Sequence, residues 1–255
     1  MILTDTHCHL YSEEFGEDVD AMIARAETDQ VTKFYLPAID SSTHNAMLML
    51  EEKYPGKCMA MMGLHPCSVK ADYLKELALV ETWLAKRQFP AVGEIGLDYY
   101  WDKTFAAEQM DAFKIQMQWA LQYKIPVVIH TRNAMAETIT AVKEYAHKGL
   151  KGIFHCFSGT GKDAEAIIAM GFYLGIGGVL TYKNSGIDKV VENIGIEHLV
   201  LETDAPYLSP VPFRGKRNES SYLKYVADKL AAIKNISVDD VAAVTTANAE
   251  KIFGM

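Results

Sequence analysis

The 255-residue chain contains no apolar run approaching the ~20 residues that a membrane-spanning helix needs, which excludes a helical membrane anchor as its organising feature. A basic leader with a cleavage-site pattern is also missing at its start, so a cytoplasmic location is expected. Cysteine is sparse. Cys8, Cys58, Cys67 and Cys156 form no C-x-x-C pair in a chain too long to need staples, and they read as reduced thiols. Low-complexity tracts and long linkers are absent, and with 49% hydrophobic and 23% charged residues the composition excludes disorder and fits one domain over residues 1–255. Positive charge is in deficit. A net charge of −8 excludes tight, non-specific nucleic-acid binding through a broad basic surface, though not a small polyanion held at a locally positive site.

What the sequence does hold is alternation. Short β-rich runs recur with helical patterns between them: Ile2 to Thr4, Lys33 to Leu36, Cys58 to Met62, Ala91 to Val92, Pro126 to Ile129, Gly152 to Phe154, Tyr173 to Ile176 and His198 to Leu201. Helices are expected at Asp18 to Asp29, Thr43 to Lys53, around Leu74 to Leu84, Phe105 to Tyr123, Ser220 to Lys234 and Val238 to Ala249. Eight βα units in a chain of this length predict a (β/α)8 TIM barrel, with its active site at the carboxyl ends of the strands. An open doubly wound sheet is the alternative, but it would gather its ligands at one switch point.

Six of the eight runs end in an ionisable residue: His7 and His9, His65, Glu94, His130, His155, and Glu202 with Asp204. Taken alone, the His7-x-His9 pair is as open to a chance surface or core role as to metal binding. On a strand the two rings would share a face. The remaining histidines, His44, His147 and His198, fall in loops, helices or strand starts, so the clustering at strand ends is selective. Imidazole and carboxylate donors suit zinc, magnesium, manganese, iron or nickel, and their number exceeds what one tetrahedral ion needs. Two divalent metal ions are therefore expected, one on His7, His9 and Asp204, the other on His130 and His155, with Glu94 bridging. Their charge against two carboxylates leaves about +2, which would draw an oxyanion. Such a pair lowers the pKa of a bound water toward ~7, so the expected nucleophile is a metal-bound hydroxide with Asp204 accepting the proton. Glu202 either orients its neighbours or turns inward to pair with a base such as Arg132.

Cys8 and Cys156 sit beside candidate ligands, but alternation points both into the helix layer as small hydrophobes. Expected substrate donors are Arg132, which shares a strand end with His130, and Arg214, Lys216, Arg217 and Asn218 in the loop after the last strand. A solvated charge cluster is the plainer reading of that loop. Tyr99, Tyr100, Trp101 and Tyr207 near the mouth either stack on bases or, as the favoured reading, pack at the rim.

Asp5-Thr-His-Cys-His9, Gly63-Leu-His-Pro66, Gly93-Glu-Ile-Gly-Leu-Asp98, Ile129-His-Thr-Arg132, His155-Cys-Phe-Ser-Gly159 and Glu202-Thr-Asp-Ala-Pro206 occur in an order that resembles the TatD family of metal-dependent hydrolases over essentially the whole chain. The resemblance implies a one- or two-metal centre and divalent-dependent deoxyribonuclease activity, often exonucleolytic from the 3′ end. It makes His7, His9, Glu94, His130, His155 and Asp204 the ligands and His65 a contact to substrate phosphate. The Arg214-to-Glu219 stretch is also similar to the family's, but Ser220-Ser221 stands where the family usually continues with proline. The expected function is phosphodiester cleavage on single-stranded or frayed DNA. Hydrolysis of a small amide, ester or phosphate ester is the alternative, because fold and metals are shared across reactions. A non-catalytic metal scaffold fits poorly beside a complete ligand set, and no obligate protein partner is evident.

Overall fold

The computed structural model describes residues 2–254. Eight parallel strands run in chain order: β1 (Leu3–Asp5), β2 (Val31–Pro37), β3 (Cys58–Met61), β4 (Val92–Asp98), β5 (Val127–Arg132), β6 (Gly152–Phe154), β7 (Tyr173–Ile176) and β8 (Leu199–Leu201). Continuous ladders join β1 to β3 and β4 to β8. Two further links complete the ring. Gly93 N–H donates to Met62 O at 3.0 Å between β3 and β4, and Thr6 N–H donates to Leu201 O at 3.0 Å between β1 and β8. The result is the (β/α)8 barrel, wrapped by α1 (Val19–Thr28), α2 (Ser41–Lys53), α3 (Tyr73–Lys86), α4 (Ala106–Tyr123), α5 (Met135–Ala146), α6 (Gly161–Ala169), α7 (Ile187–Glu192), α8 (Leu223–Lys234) and α9 (Val238–Phe253).

Local chemistry sets several of these boundaries. Asp40 and Thr43 close a reciprocal capping box that starts α2 two residues before the apolar pattern does, and Thr160 with Asp163 does the same for α6. Four sequence expectations move. β4 does not stop at Val92 but continues through Glu94 to Asp98 after a register shift, and β5 runs on to Arg132, because glycine and polar residues that read as loop still pair with neighbouring strands. The helix expected from Ser220 opens with a 3-10 turn, and α9 continues to Phe253.

The barrel interior is layered, because inward positions recur every second residue. Tyr35, Met61, Ala91, Val128, Ile153, Tyr173 and Val200 form one apolar floor, sealed from beneath by Phe253, whose ring stacks on Tyr35 at 3.8 Å. Two residues further along the same strands lie Gly63, Gly93, His130, His155, Gly175 and Glu202. The glycines in this second layer make room: a Cβ on Gly175 would stand 2.3 Å from Glu202 Oε2, and one on Gly63 would stand 2.9 Å from the Gly93 backbone. The floor therefore supplies burial, and the layer above it supplies polar groups.

Candidate metal centre

Glu94 is the hub. Its Oε2 lies 3.1 Å from His7 Nε2 and 3.6 Å from His9 Nε2, while Oε1 lies 2.9 Å from His130 Nδ1, 3.0 Å from His155 Nε2 and 3.3 Å from His65 Nε2. Asp204 Oδ1 faces the same two rings as Oε2, at 3.6 Å from both His7 and His9 Nε2. The two oxygens of one carboxylate thus look toward two histidine groups, the arrangement a bridging ligand has. Sets of donors within 4.8 Å of one another form from His7, His155 and Asp204, from His7, His9 and Glu94, and from His65, Glu94 and His130.

His7 and His9 reach this point from beyond the end of β1, so alternation within a strand is not what aligns them. The segment is pinned instead. Cys8 N–H donates to Tyr35 O at 3.0 Å, His9 N–H to Ala205 O at 2.7 Å and Asp204 N–H to His7 O at 2.9 Å. Beneath it, buried Asp5 accepts from Thr203 N and Oγ1 at 2.9 and 2.6 Å and from Ser220 Oγ at 2.6 Å. The serine that departs from the family's usual proline therefore supplies a donor to a carboxylate that couples the segments carrying His7 and His9 and Asp204.

Partners behind the rings decide which nitrogen each offers. Tyr11 Oη donates to Pro37 O, so at 3.0 Å from His9 Nδ1 it can only accept, and His9 keeps Nε2 free for an ion. Asp98 Oδ2 takes Nε2 of His130 at 2.9 Å, leaving Nδ1 toward Glu94. His155 Nδ1 faces Glu202 Oε1 at 3.4 Å and Nε2 faces the hub. His65 differs: its Nδ1 accepts from Cys67 N–H at 3.0 Å, so Nε2 carries the hydrogen and points inward as a donor. Asp98 and Tyr11 were not singled out from the sequence. The period of two that links Glu94, Gly96 and Asp98 along β4 is the signal that finds Asp98, whereas Tyr11, in the turn beyond β1, has no such signal.

Burial alone would raise the Glu94 carboxyl, but the charges of His155, His65 and His7 and the bond to His130 hold it well below the usual carboxylate range. Burial pulls His155 down, yet Glu94 and Glu202 outweigh it and lift it well above an ordinary histidine. Burial and the charge of His155 lower His7, whose ring stacks on His155 at 3.8 Å between centroids.

Other expected residues sit differently. Glu202 is fully buried in the second layer, where it accepts from Cys156 N–H and stands behind His155; it makes no pair with Arg132. Cys156 has a φ of 46°, which breaks the alternation that would send it to the helix layer, and burial together with Asp204, Glu202 and Glu94 pushes its thiol well above the usual range. Cys8 is buried in the core as expected. Asn218 is no surface donor. It is fully buried, and its Nδ2 donates to Thr203 O at 2.8 Å and Tyr207 O at 2.6 Å, so it braces the ligand strand end. Arg217 bonds Asp18 and Glu14 O, tying its loop to the segment before α1, while Lys216 and Arg214 are exposed. Tyr100, Trp101 and Tyr207 are exposed at the rim, against the packing expected of them, and Tyr99 packs on the core.

A parallel barrel with nitrogen and carboxylate donors converging above its floor defines a metal-dependent hydrolase. A family model described as "TatD related DNase" matches residues 4–254, and the chain belongs to the TatD family. It is 37% identical over 253 residues to a Bacillus subtilis protein named uncharacterized metal-dependent hydrolase YabD, covering 99% of each chain. A protein of Erwinia tasmaniensis named 3'-5' ssDNA/RNA exonuclease TatD is 29% identical over 258 residues, covering 98% of this chain and 99% of its own. The crystal structure of YJJV, a TatD homologue from Escherichia coli, superposes with a TM-score of 0.92 at 29% identity, over 99% of this chain and 98% of the other.

Proposed function

We propose that the chain cleaves phosphodiester bonds of single-stranded DNA or RNA, from a 3′ end, using two divalent ions held by His7, His9, Glu94, His130, His155 and Asp204. The observation that carries this reading is the Glu94 hub, one carboxylate with each oxygen turned to a separate histidine group. The donor set fits borderline or hard divalent cations, and the carboxylates and tyrosine behind the rings hold the nitrogens that would ligate. When bound, such ions activate water and neutralise charge on the phosphoryl oxygens.

The chain's own residues do the rest. Asp204, with its side chain 14% exposed and facing His7 and His9, accepts the attacking water's proton in this reading. His65 presents Nε2–H from the opposite side of Glu94 and donates to a phosphoryl oxygen. Glu202, sealed behind His155, positions that ring rather than touching substrate.

Counting Asp98 and Glu202 with Glu94 and Asp204 gives four carboxylates around the centre, which offsets two divalent charges and removes the surplus expected from the sequence. Anion recognition then falls on side chains. The chain has five arginines. Arg25, Arg87 and Arg217 are tied to carboxylates, whereas Arg132 and Arg214, both at the mouth, carry no ion pair among the described residues and lie over Tyr100 and Tyr182. These two guanidiniums are the phosphate donors of this reading.

The test is cleavage of an end-labelled single-stranded oligonucleotide by metal-loaded protein, beside a panel of small amides, esters and phosphate esters and with Asp204→Asn alongside. Shortening from the 3′ end that Asp204→Asn abolishes supports the reading. An intact oligonucleotide with turnover of an amide would replace it by a small-substrate hydrolase, which the acidic surface would suit.

A further inference from the structure

The large aromatic side chains left exposed among the described residues, Tyr100, Trp101 and Tyr207, all lie at the mouth. Trp101 is 70% exposed and Tyr100 51%, their rings meet edge to face at 4.8 Å, and the Arg132 guanidinium lies 3.7 Å from the Tyr100 centroid and 5.2 Å from that of Trp101. Large apolar rings left in water at the entrance to a polar centre have no folding advantage there. We propose that Tyr100, Trp101 and Arg132 form a base-stacking station for one nucleotide adjoining the cleaved phosphodiester, which rests on the nuclease reading above and specifies how that site grips its strand.

Three observations carry this. The first is the guanidinium itself. An arginine lying on an aromatic ring is restrained by it, and a guanidinium plane can stack on a base while its N–H donors reach a phosphate. No carboxylate occupies those donors among the described residues, unlike the guanidiniums of Arg25, Arg87 and Arg217.

The second is anchorage. Asp98, the same residue that holds His130 through Oδ2, accepts from Tyr100 N–H at 2.9 Å and Trp101 N–H at 3.3 Å through Oδ1. One buried carboxylate thus fixes a ring at the metal centre and the backbone of the aromatic pair. Arg132 is paired with Asp98 across the β4–β5 ladder as His130 is with Gly96, so the station stands two residues, about 7 Å, further along the strands than His130. That is the reach of the unit next to a bound phosphate rather than of the phosphate itself.

The third is charge. The chain's net charge of −8 denies it the broad basic groove that holds strands by backbone alone, and stacking is the sequence-tolerant contact that replaces it. A duplex end keeps its bases paired and stacked on each other, so this station favours single strands.

Steady-state kinetics on single-stranded DNA and RNA oligonucleotides, with Trp101→Ala and Tyr100→Ala, test it. Each variant should raise KM about 5- to 100-fold while kcat changes less than about threefold. The thermal midpoint should stay put, since both rings are exposed. An abasic position scanned through the last nucleotides should reproduce the loss at one position in the wild type and add nothing further in Trp101→Ala. Unchanged KM in both variants, or abasic and ring losses that simply multiply, would overturn the station while leaving the nuclease reading in place. A wild-type protein that cleaves no oligonucleotide overturns both.

Discussion

The two ends of the barrel interior are built on the same strands, two residues apart, and have opposite chemistry. On β5, β6 and β8 the floor residues Val128, Ile153 and Val200 are followed at the next inward position by His130, His155 and Glu202. The floor is apolar, closed and stacked against Phe253. The layer above holds buried ionisable groups whose desolvation cost the fold must offset with specific partners. Stability and chemistry are thereby separated by one pleat, and substitutions should sort by layer.

The sharpest way to break this separation is at the hub. Glu94→Ala should lower kcat/KM by at least about 100-fold and strip bound metal, since even residues behind ligands cost 10- to 100-fold, while the variant should still fold cooperatively. Loss of fold instead of metal would mean that Glu94 is structural. The converse substitution is on the floor: Phe253→Ala should cost about 3 kcal/mol in urea unfolding and leave kcat/KM of the folded protein within about twofold.

Asp98→Asn tests whether the support behind the rings acts through them. It should weaken metal affinity by about 10- to 100-fold without removing the donors His130 and Glu94. A variant with unaltered metal affinity would reduce Asp98 to a loop anchor.

The smallest effect belongs outside both layers, at Arg25 and Glu219, joined at 2.7 Å with Arg25 44% exposed. Burial raises the Glu219 carboxyl, but bonds from Arg25 and Ser221 outweigh it and hold it below its ordinary value. Its native pKa is the lower one, so its stabilisation is full above about pH 4.5 and is lost as pH falls through the native value. Glu219→Gln should cost under about 1 kcal/mol at pH 7, and the gap from wild type should close on acidification.

The fold was legible because βα alternation and strand-end ionisable residues are local patterns. Glu94 and Arg132 were recognised even though the ends of β4 and β5 were placed too early, since Gly93 and Gly96 read as loop while Gly96 pairs with His130 in the ladder and Gly93 N–H donates to Met62 O. What stayed hidden depends on distant partners. Nothing near Asn218 in sequence reveals that its amide braces Thr203 and Tyr207, and exposed loop composition pointed to substrate instead. Gln109 and Gln116, seven residues apart on α4, were likewise unread. Each grips a strand-end backbone at both N–H and C=O, Asp98 at 2.9 and 3.2 Å and Leu64 at 2.7 and 3.1 Å. They hold the residues beside His65 and the His130 partner in register, and a helical wheel shows only polar residues on an apolar face.

The central claim, that one carboxylate joins two cation positions above an apolar floor, is tested most directly by counting bound divalent ions in the metal-loaded wild type and in His7→Ala by elemental analysis. Two ions per chain are expected in the wild type and about one in the variant, with His130 and His155 keeping theirs. A wild type that binds none, or a variant that retains both, would contradict it.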